Sequence, residues 1–199
     1  KDAGAVLLIE IEGLAEDVNE ESDAITSICE ELGVREIRYS ELGEERERLW
    51  AGRKGAFAAL GTIAPNYYLV DGVVPRTKLP EVLKKIAKIC GDLGLTVANV
   101  FHAGDGNLHP LIAFDERKPG SSAKALEAGE AILQLCVEAG GVLTGEHGVG
   151  IEKKEYMPLM FTPDDLSMMK NFKQAFAPKG LLNPGKIFPD DKKPTQQHS

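Results

Sequence analysis

The chain has 199 residues, of which 43% are hydrophobic and 27% charged, the balance of an ordinary soluble globular protein with room for one substantial domain or two small ones. A net charge of −8 argues against a phosphate backbone as partner, because nucleic-acid binding needs Lys and Arg to neutralise phosphates; a small anionic substrate, which needs only one or two local cations, stays open. No apolar run approaches the ~20 residues of a membrane span, no charged-then-apolar leader opens the chain, and Cys29, Cys90 and Cys136, scattered without a CxxC spacing, read as reduced thiols of a cytoplasmic compartment.

The apolar, partly β-branched run 5–11 predicts a buried strand that ends at Gly13. The spacing of Val18, Ser22, Ile25, Ile28, Cys29 and Leu32 predicts a helix over 15–32, stopped by Gly33. A short strand follows at 36–39, then a second helix over 41–60 with Ser40 as its N-cap. A strand over 67–70 closes towards Pro75, and Pro80, placed in a helical first turn, opens a helix over 80–93 that Gly94 stops. Residues 96–102 form a strand and 108–114 its hairpin partner. A helix over 121–139 turns Leu126, Ile132, Leu133, Leu135 and Cys136 inward and ends at Gly140-Gly141. Val142-Leu143, a glycine-rich loop and a short Glu/Lys helix come next. Thr162-Pro163-Asp164-Asp165 caps the last helix, 163–176. The polar segment 190–199 reads as a disordered tail. The β-α-β-(α)-β-α-β order of the first hundred residues is the split βαβ pattern, so the expected fold class is α+β, a ferredoxin-like antiparallel sheet with helices. No GxGxxG follows a strand and no P-loop is present, so no dinucleotide cradle is legible.

The segment His102-Ala-Gly-Asp-Gly-Asn-Leu-His109 carries the most chemistry. Asp105-Gly106 is a strong signal for a two-residue type I′ hairpin turn. Centred there, the turn sets His102 opposite His109 on one face, close enough to share a metal ion. Asp105 and Asn107 read as turn formers. Thr144-Gly-Glu146-His147-Gly148-Val-Gly150 adds a carboxylate and a third imidazole; the fourth histidine, His198, lies in the tail. Glu146 as third ligand gives two histidines and a carboxylate, an arrangement that leaves positions open for substrate. His147 is then the candidate general base, since imidazole accepts a proton at neutral pH. Arg53 offers a planar fork for a substrate carboxylate. Arg76 is a lone cation at a strand end, and Asn183-Pro-Gly-Lys186 is a turn signal. A metal-binding or sensor module without redox chemistry, and a structural α+β interaction domain with packed histidines, remain as readings from other classes.

Together, Leu49-Trp-Ala-Gly-Arg-Lys54, Val74-Pro-Arg76, Phe101-His-Ala-Gly-Asp-Gly-Asn-Leu-His-Pro110, Gly145-Glu-His-Gly-Val-Gly150 and Leu182-Asn-Pro-Gly-Lys186 resemble the C-terminal region of FAD-linked 2-hydroxy-acid oxidases and dehydrogenases over residues 1–189. Tyr67-Tyr68-Leu-Val-Asp71-Gly-Val-Val-Pro-Arg76 and His109-Pro110-Leu-Ile fit the bacterial glycolate oxidase subgroup. The resemblance implies oxidation of a 2-hydroxy acid to the 2-keto acid. Arg53 would hold the carboxylate, and His102, His109 and Glu146 a divalent metal, zinc or another transition metal. His147 would take the hydroxyl proton, and Arg76, Asn183 and Lys186 would approach the flavin. It implies that FAD is held mostly by a preceding domain, so that this chain is a substrate-binding cap, an excised fragment or a piece of a longer subunit. An iron–sulfur electron-acceptor subunit is the implied partner, with a cytoplasmic location peripheral to the inner membrane face. In D-lactate and D-2-hydroxyglutarate dehydrogenases of the family the residue at the place of Leu111 is commonly Asn, and a Thr that helps the longer diacid bind stands where this chain has Phe57. The two departures point to a small substrate, glycolate or D-lactate, over a D-2-hydroxyglutarate-type dehydrogenase.

Overall fold

The structure, a computed structural model, describes residues 3–41 and 43–190; the expected tail beyond 190, with His198, lies outside the described residues. The chain divides into two compact units, Lys1–Phe57 and Ala58–Ser199.

The first unit carries two helices, α1 (Ala15–Glu31) and α2 (Glu44–Ala59), the latter running on past the unit's end. Glu16 and Asp17 in the first turn of α1 complement the helix dipole, and Gly33, at φ +73°, ends it as expected. The strands expected at 5–11 and 36–39 are not formed. An apolar β-branched run becomes a strand only by pairing, and neither stretch joins a ladder among the described residues. The apolar spacing read in α1 does not mark a buried face either, since Ile28 is 56% and Leu32 81% exposed.

The second unit holds the sheet. Its strands are β1 (Asn66–Leu69), β2 (Gly72–Val73), β3 (Thr96–Asn99), β4 (Asn107–Leu108) and β5 (Pro110–Phe114). All pairings are antiparallel, with β5 between β1 and β3 and with β2 on β4. The registers Leu69↔Leu111 and Gly72↔Leu108 are one and the same, so β1–β2 and β4–β5 are a single strand pair, loosened only around Asp71 and His109. Val142 adds one antiparallel bridge to Val73 on the outer side. Helix α3 (Leu79–Asp92) links β2 to β3, and α4 (Ser121–Glu138) links β5 to Val142. Strand, helix, hairpin, helix, strand, with the last strand beside the first, is the split βαβ arrangement. The expected ferredoxin-like pattern is therefore present, but it occupies residues 66–143 and not the first hundred. Before residue 66 the described residues form helices without strands.

Alternation along the strands separates two faces. Tyr68, Val70, Val74, Leu108 and Ile112 face the core, against α3 and α4. From α3 come Leu79, Val82, Ile86 and Cys90, one stripe at helical spacing. From α4 come Ala125, Ala128, Ile132, Leu133 and Cys136. Gly129 lets α4 close on the sheet, since a Cβ there would lie 2.3 Å from the Tyr68 ring. Leu126, expected inward, is 52% exposed, because it projects off the stripe that Ala125, Ala128 and Ile132 define. Helix α5 (Pro163–Phe176) begins with the expected capping box between Thr162 and Asp165. The Glu/Lys stretch before it is a 3₁₀ segment, Lys154–Leu159. Opposite the core, Asp71, Asn107 and His109 occupy the alternate positions of the same strands.

Candidate metal centre and substrate site

The hairpin closes differently from the expected two-residue turn. The β3–β5 register, Thr96↔Ala113 through Asn99↔Pro110, continues to a bridge between His102 and Asn107. His102 N donates to Asn107 O at 2.9 Å, so the turn is the four residues 103–106. Gly106 closes it at φ +72°, pressed so tightly on β2 that a Cβ would sit 2.1 Å from Val74 O, while its own carbonyl accepts from Val74 N. His102 therefore opposes Asn107, and His109 lies two residues further along. A slip of two, unlike a slip of one, leaves every side chain on its face. The imidazoles still meet, with ring centroids 5.5 Å apart and planes at 85°. Asn107, read as a turn former, is a buried strand residue on the same face.

The loop after Val142 brings the other groups. Glu146 Oε1 lies 2.8 Å from His109 Nε2 and 3.4 Å from His147 Nε2. The His147 ring stacks on that of His109, centroids 5.1 Å apart. Ligand atoms of His102, His109 and Glu146 all lie within 4.8 Å of one another. The structure thus brings together all four residues expected at the centre of the site.

Asp71 underlies the arrangement, and sequence reasoning gave it no role. The register places it opposite His109, and it is fully buried. Its carboxylate accepts from Thr144 Oγ1 at 2.6 Å, from the backbone N–H groups of Gly145, Glu146 and His147 at 3.1–3.3 Å, and from Lys153 Nζ at 2.9 Å. Lys153, also buried, donates to Asp71 O at 2.8 Å as well. Burial alone would raise the carboxyl's proton affinity, but the Thr144 and Lys153 donors, the Lys153 charge and the His147 amide hold it well below the usual carboxylate range. Asp71 is ionised and its lone pairs are in use.

The donor set fits a divalent transition metal. Two imidazoles and a carboxylate are suitable ligands with room for substrate. His109 is 2% exposed, yet its Nδ1 has no hydrogen-bond partner, and neither has the buried Oδ1 of Asn107. Buried polar atoms are normally paired, so these two atoms are available to a bound group. Burial lowers the His109 pKa, with the Glu146 carboxylate opposing, which favours the neutral ring that a metal requires.

The remaining expected residues are elsewhere. Arg76 is exposed and opens a 3₁₀ turn, Arg76–Lys78, just after β2. Asn183 takes a left-handed φ of +44°; its Oδ1 accepts from Lys186 Nζ at 3.4 Å and its carbonyl from Lys173 Nζ. That turn adjoins the site loop, since Ile187 N donates to Gly150 O at 2.8 Å. Leu111 lies fully buried on the His109 face of β5. Arg53 stands on α2 in the first unit, its guanidinium 5.9 Å from the Phe57 ring centroid.

Over residues 1–187 the chain matches the model of the family described as FAD linked oxidases, C-terminal domain, and it belongs to that family. It is 50% identical over 188 residues to the glycolate oxidase subunit GlcD of Escherichia coli (strain K12), covering 94% of this chain and 38% of that protein. Identity to the glycolate oxidase subunit GlcD of Bacillus subtilis (strain 168) is 35%, over 95% of this chain and 40% of the relative. Identity to the mitochondrial D-lactate dehydrogenase (cytochrome) of Arabidopsis thaliana is 29%, over 92% of this chain and 33% of the relative. The chain spans at most 40% of the length of these relatives.

Proposed function

We propose that residues 1–189 are the substrate- and metal-binding domain of an FAD-dependent oxidoreductase that converts a small 2-hydroxy acid, glycolate or D-lactate, to its 2-keto acid. The observation that carries this reading is the convergence of His102, His109 and Glu146, with one nitrogen of the buried His109 ring left unpaired. The names of the relatives, glycolate oxidase subunit and D-lactate dehydrogenase, supply the substrate class. A divalent metal on these three residues would supply Lewis acidity towards the substrate hydroxyl, and FAD would supply the hydride acceptor. Arg53 binds the substrate carboxylate with its planar fork. His147 takes the hydroxyl proton on Nε2, the nitrogen it turns towards Glu146. Arg76, Asn183 and Lys186 approach the flavin. Leu111, which offers no charge on the His109 face, favours a substrate with a single carboxylate, because an unpaired buried charge costs several kcal/mol.

Electrons leave to an iron–sulfur partner, a reading supported by the relatives being named as subunits. Among the described residues no helix is long and apolar enough to cross a membrane, in keeping with a cytoplasmic protein that meets the inner membrane face through its partner. Two measurements test the proposal. Metal content of the untagged chain should be near stoichiometric, and lost in His102→Ala and His109→Ala while circular dichroism is retained. In an FAD-loaded protein containing this chain, kcat/KM should favour glycolate or D-lactate over D-2-hydroxyglutarate. Stoichiometric metal in either alanine variant refutes the ligand assignment, and a preference for the diacid refutes the substrate class.

A further inference from the structure

We infer that Asp71, held by Thr144 and Lys153, is the positioning residue of the site, and that its carboxylate sets where Glu146 and His147 stand. The inference rests on the metal reading above. Loop 144–148 contains Gly145 and Gly148, the latter at φ +79°, and belongs to no helix or strand. Left to itself such a loop would place a ligand poorly. It is instead wrapped around one buried carboxylate. Three successive amides, of Gly145, Glu146 and His147, point at Asp71. The Thr144 hydroxyl donates to Asp71 and accepts from Gly148 N at 2.9 Å, closing the loop on itself.

Asp71 is in turn fixed to the sheet. It lies opposite His109, and Lys153 Nζ grips both its carboxylate and its carbonyl. The strand pair that carries the His109 ring thereby also dictates the backbone positions of residues 146 and 147. Asp71 shares a close group with His109 and His147, which raises the alternative that it is itself a metal ligand. Its two oxygens already take the Thr144 hydroxyl, three amides and an ammonium. A carboxylate offers about four lone-pair sites, so none is left for a metal, and its part is to orient the groups that bind one.

Groups that orient metal ligands typically change affinity by 10–100-fold when removed. The test is a zinc titration of the 199-residue chain, wild type against Thr144→Val, Thr144→Ser and Asp71→Asn, with hydrogen exchange of the Glu146 and His147 amides followed in parallel. Thr144→Val removes one donor, keeps the side-chain shape and leaves the buried ion pair intact. It should bind zinc about 10–100-fold more weakly and exchange both amides faster, and Thr144→Ser should restore both. Asp71→Asn leaves Lys153 buried without its counter-charge; if that variant fails to fold, the threonine pair still decides. Wild-type zinc affinity in Thr144→Val, with only a lowered melting temperature, overturns the positioning role. A wild-type chain that takes up no zinc overturns the metal reading, and this inference with it.

Discussion

Glu146 and His147 are neighbours in sequence with different contacts: Glu146 Oε1 lies 2.8 Å from His109 Nε2, while the His147 ring stacks on that of His109. Their substitutions should therefore separate. In an FAD-loaded protein, His147→Asn should lower kcat by ~10²–10⁴, the usual cost of losing a general base, with metal content retained. Glu146→Gln should lower metal content and turnover together. Equal metal loss in both, read by elemental analysis, would show the roles to be divided wrongly. At this scale much was legible, because imidazole and carboxylate declare their chemistry by type, and a glycine-flanked pair declares a close approach. Asp71 was not legible. A carboxylate after a strand has no local mark to say that a loop 73 to 76 residues away will fold over it.

The hairpin shows how an element can be misread in detail and still deliver its side chains. Asp105-Gly106 signals a turn, but the turn's length is decided by what the strands pair with on either side, and the long β3–β5 ladder outweighs two residues of turn preference. Because the correction was an even number of positions, the histidine pair survived it. Gly106 is the pivot, so Gly106→Ala should damage the element as a whole. The left-handed backbone alone costs about 1–3 kcal/mol in a residue with a Cβ, and that Cβ meets a main-chain oxygen, Val74 O, that cannot swing aside. Urea unfolding should show a loss of at least this size together with weakened zinc binding; unchanged values would mean that the turn is free to reopen. The runs 5–11 and 36–39 are the converse case. Their composition is right for strands, but a ladder has two sides and composition describes only one.

For the whole chain, the division at residue 57 separates the thiols as well. Cys29 is half-buried in the first unit, while Cys90 and Cys136 are fully buried in the second. Burial pushes the Cys136 thiol up to about 12, so it presents almost no thiolate near neutral pH. A thiol reagent should label Cys29 in the native protein, and Cys90 and Cys136 only as the second unit opens. Simultaneous labelling of all three would mean that the units unfold as one. These 199 residues, expressed alone, should also be colourless, since no phosphate-cradling glycine motif is present in them; a flavin absorption band in the purified chain would disprove this. The α+β class was legible at this scale from helical periodicity and the restart at residue 96, but the location of the split βαβ was not, because it depended on two expected strands that pair with nothing among the described residues.

The bond from Ile187 N to Gly150 O has a consequence in time. The segment carrying Glu146 and His147 leaves the ribosome well before the residue that ties down its far end. At about 5–20 residues per second the interval is a few seconds, during which Asp71 can already gather the near end of that segment while Gly150 waits for its partner. The centre is thus completed later in synthesis than the hairpin that carries His102 and His109. A nascent chain halted before Ile187 would lack the tie at Gly150.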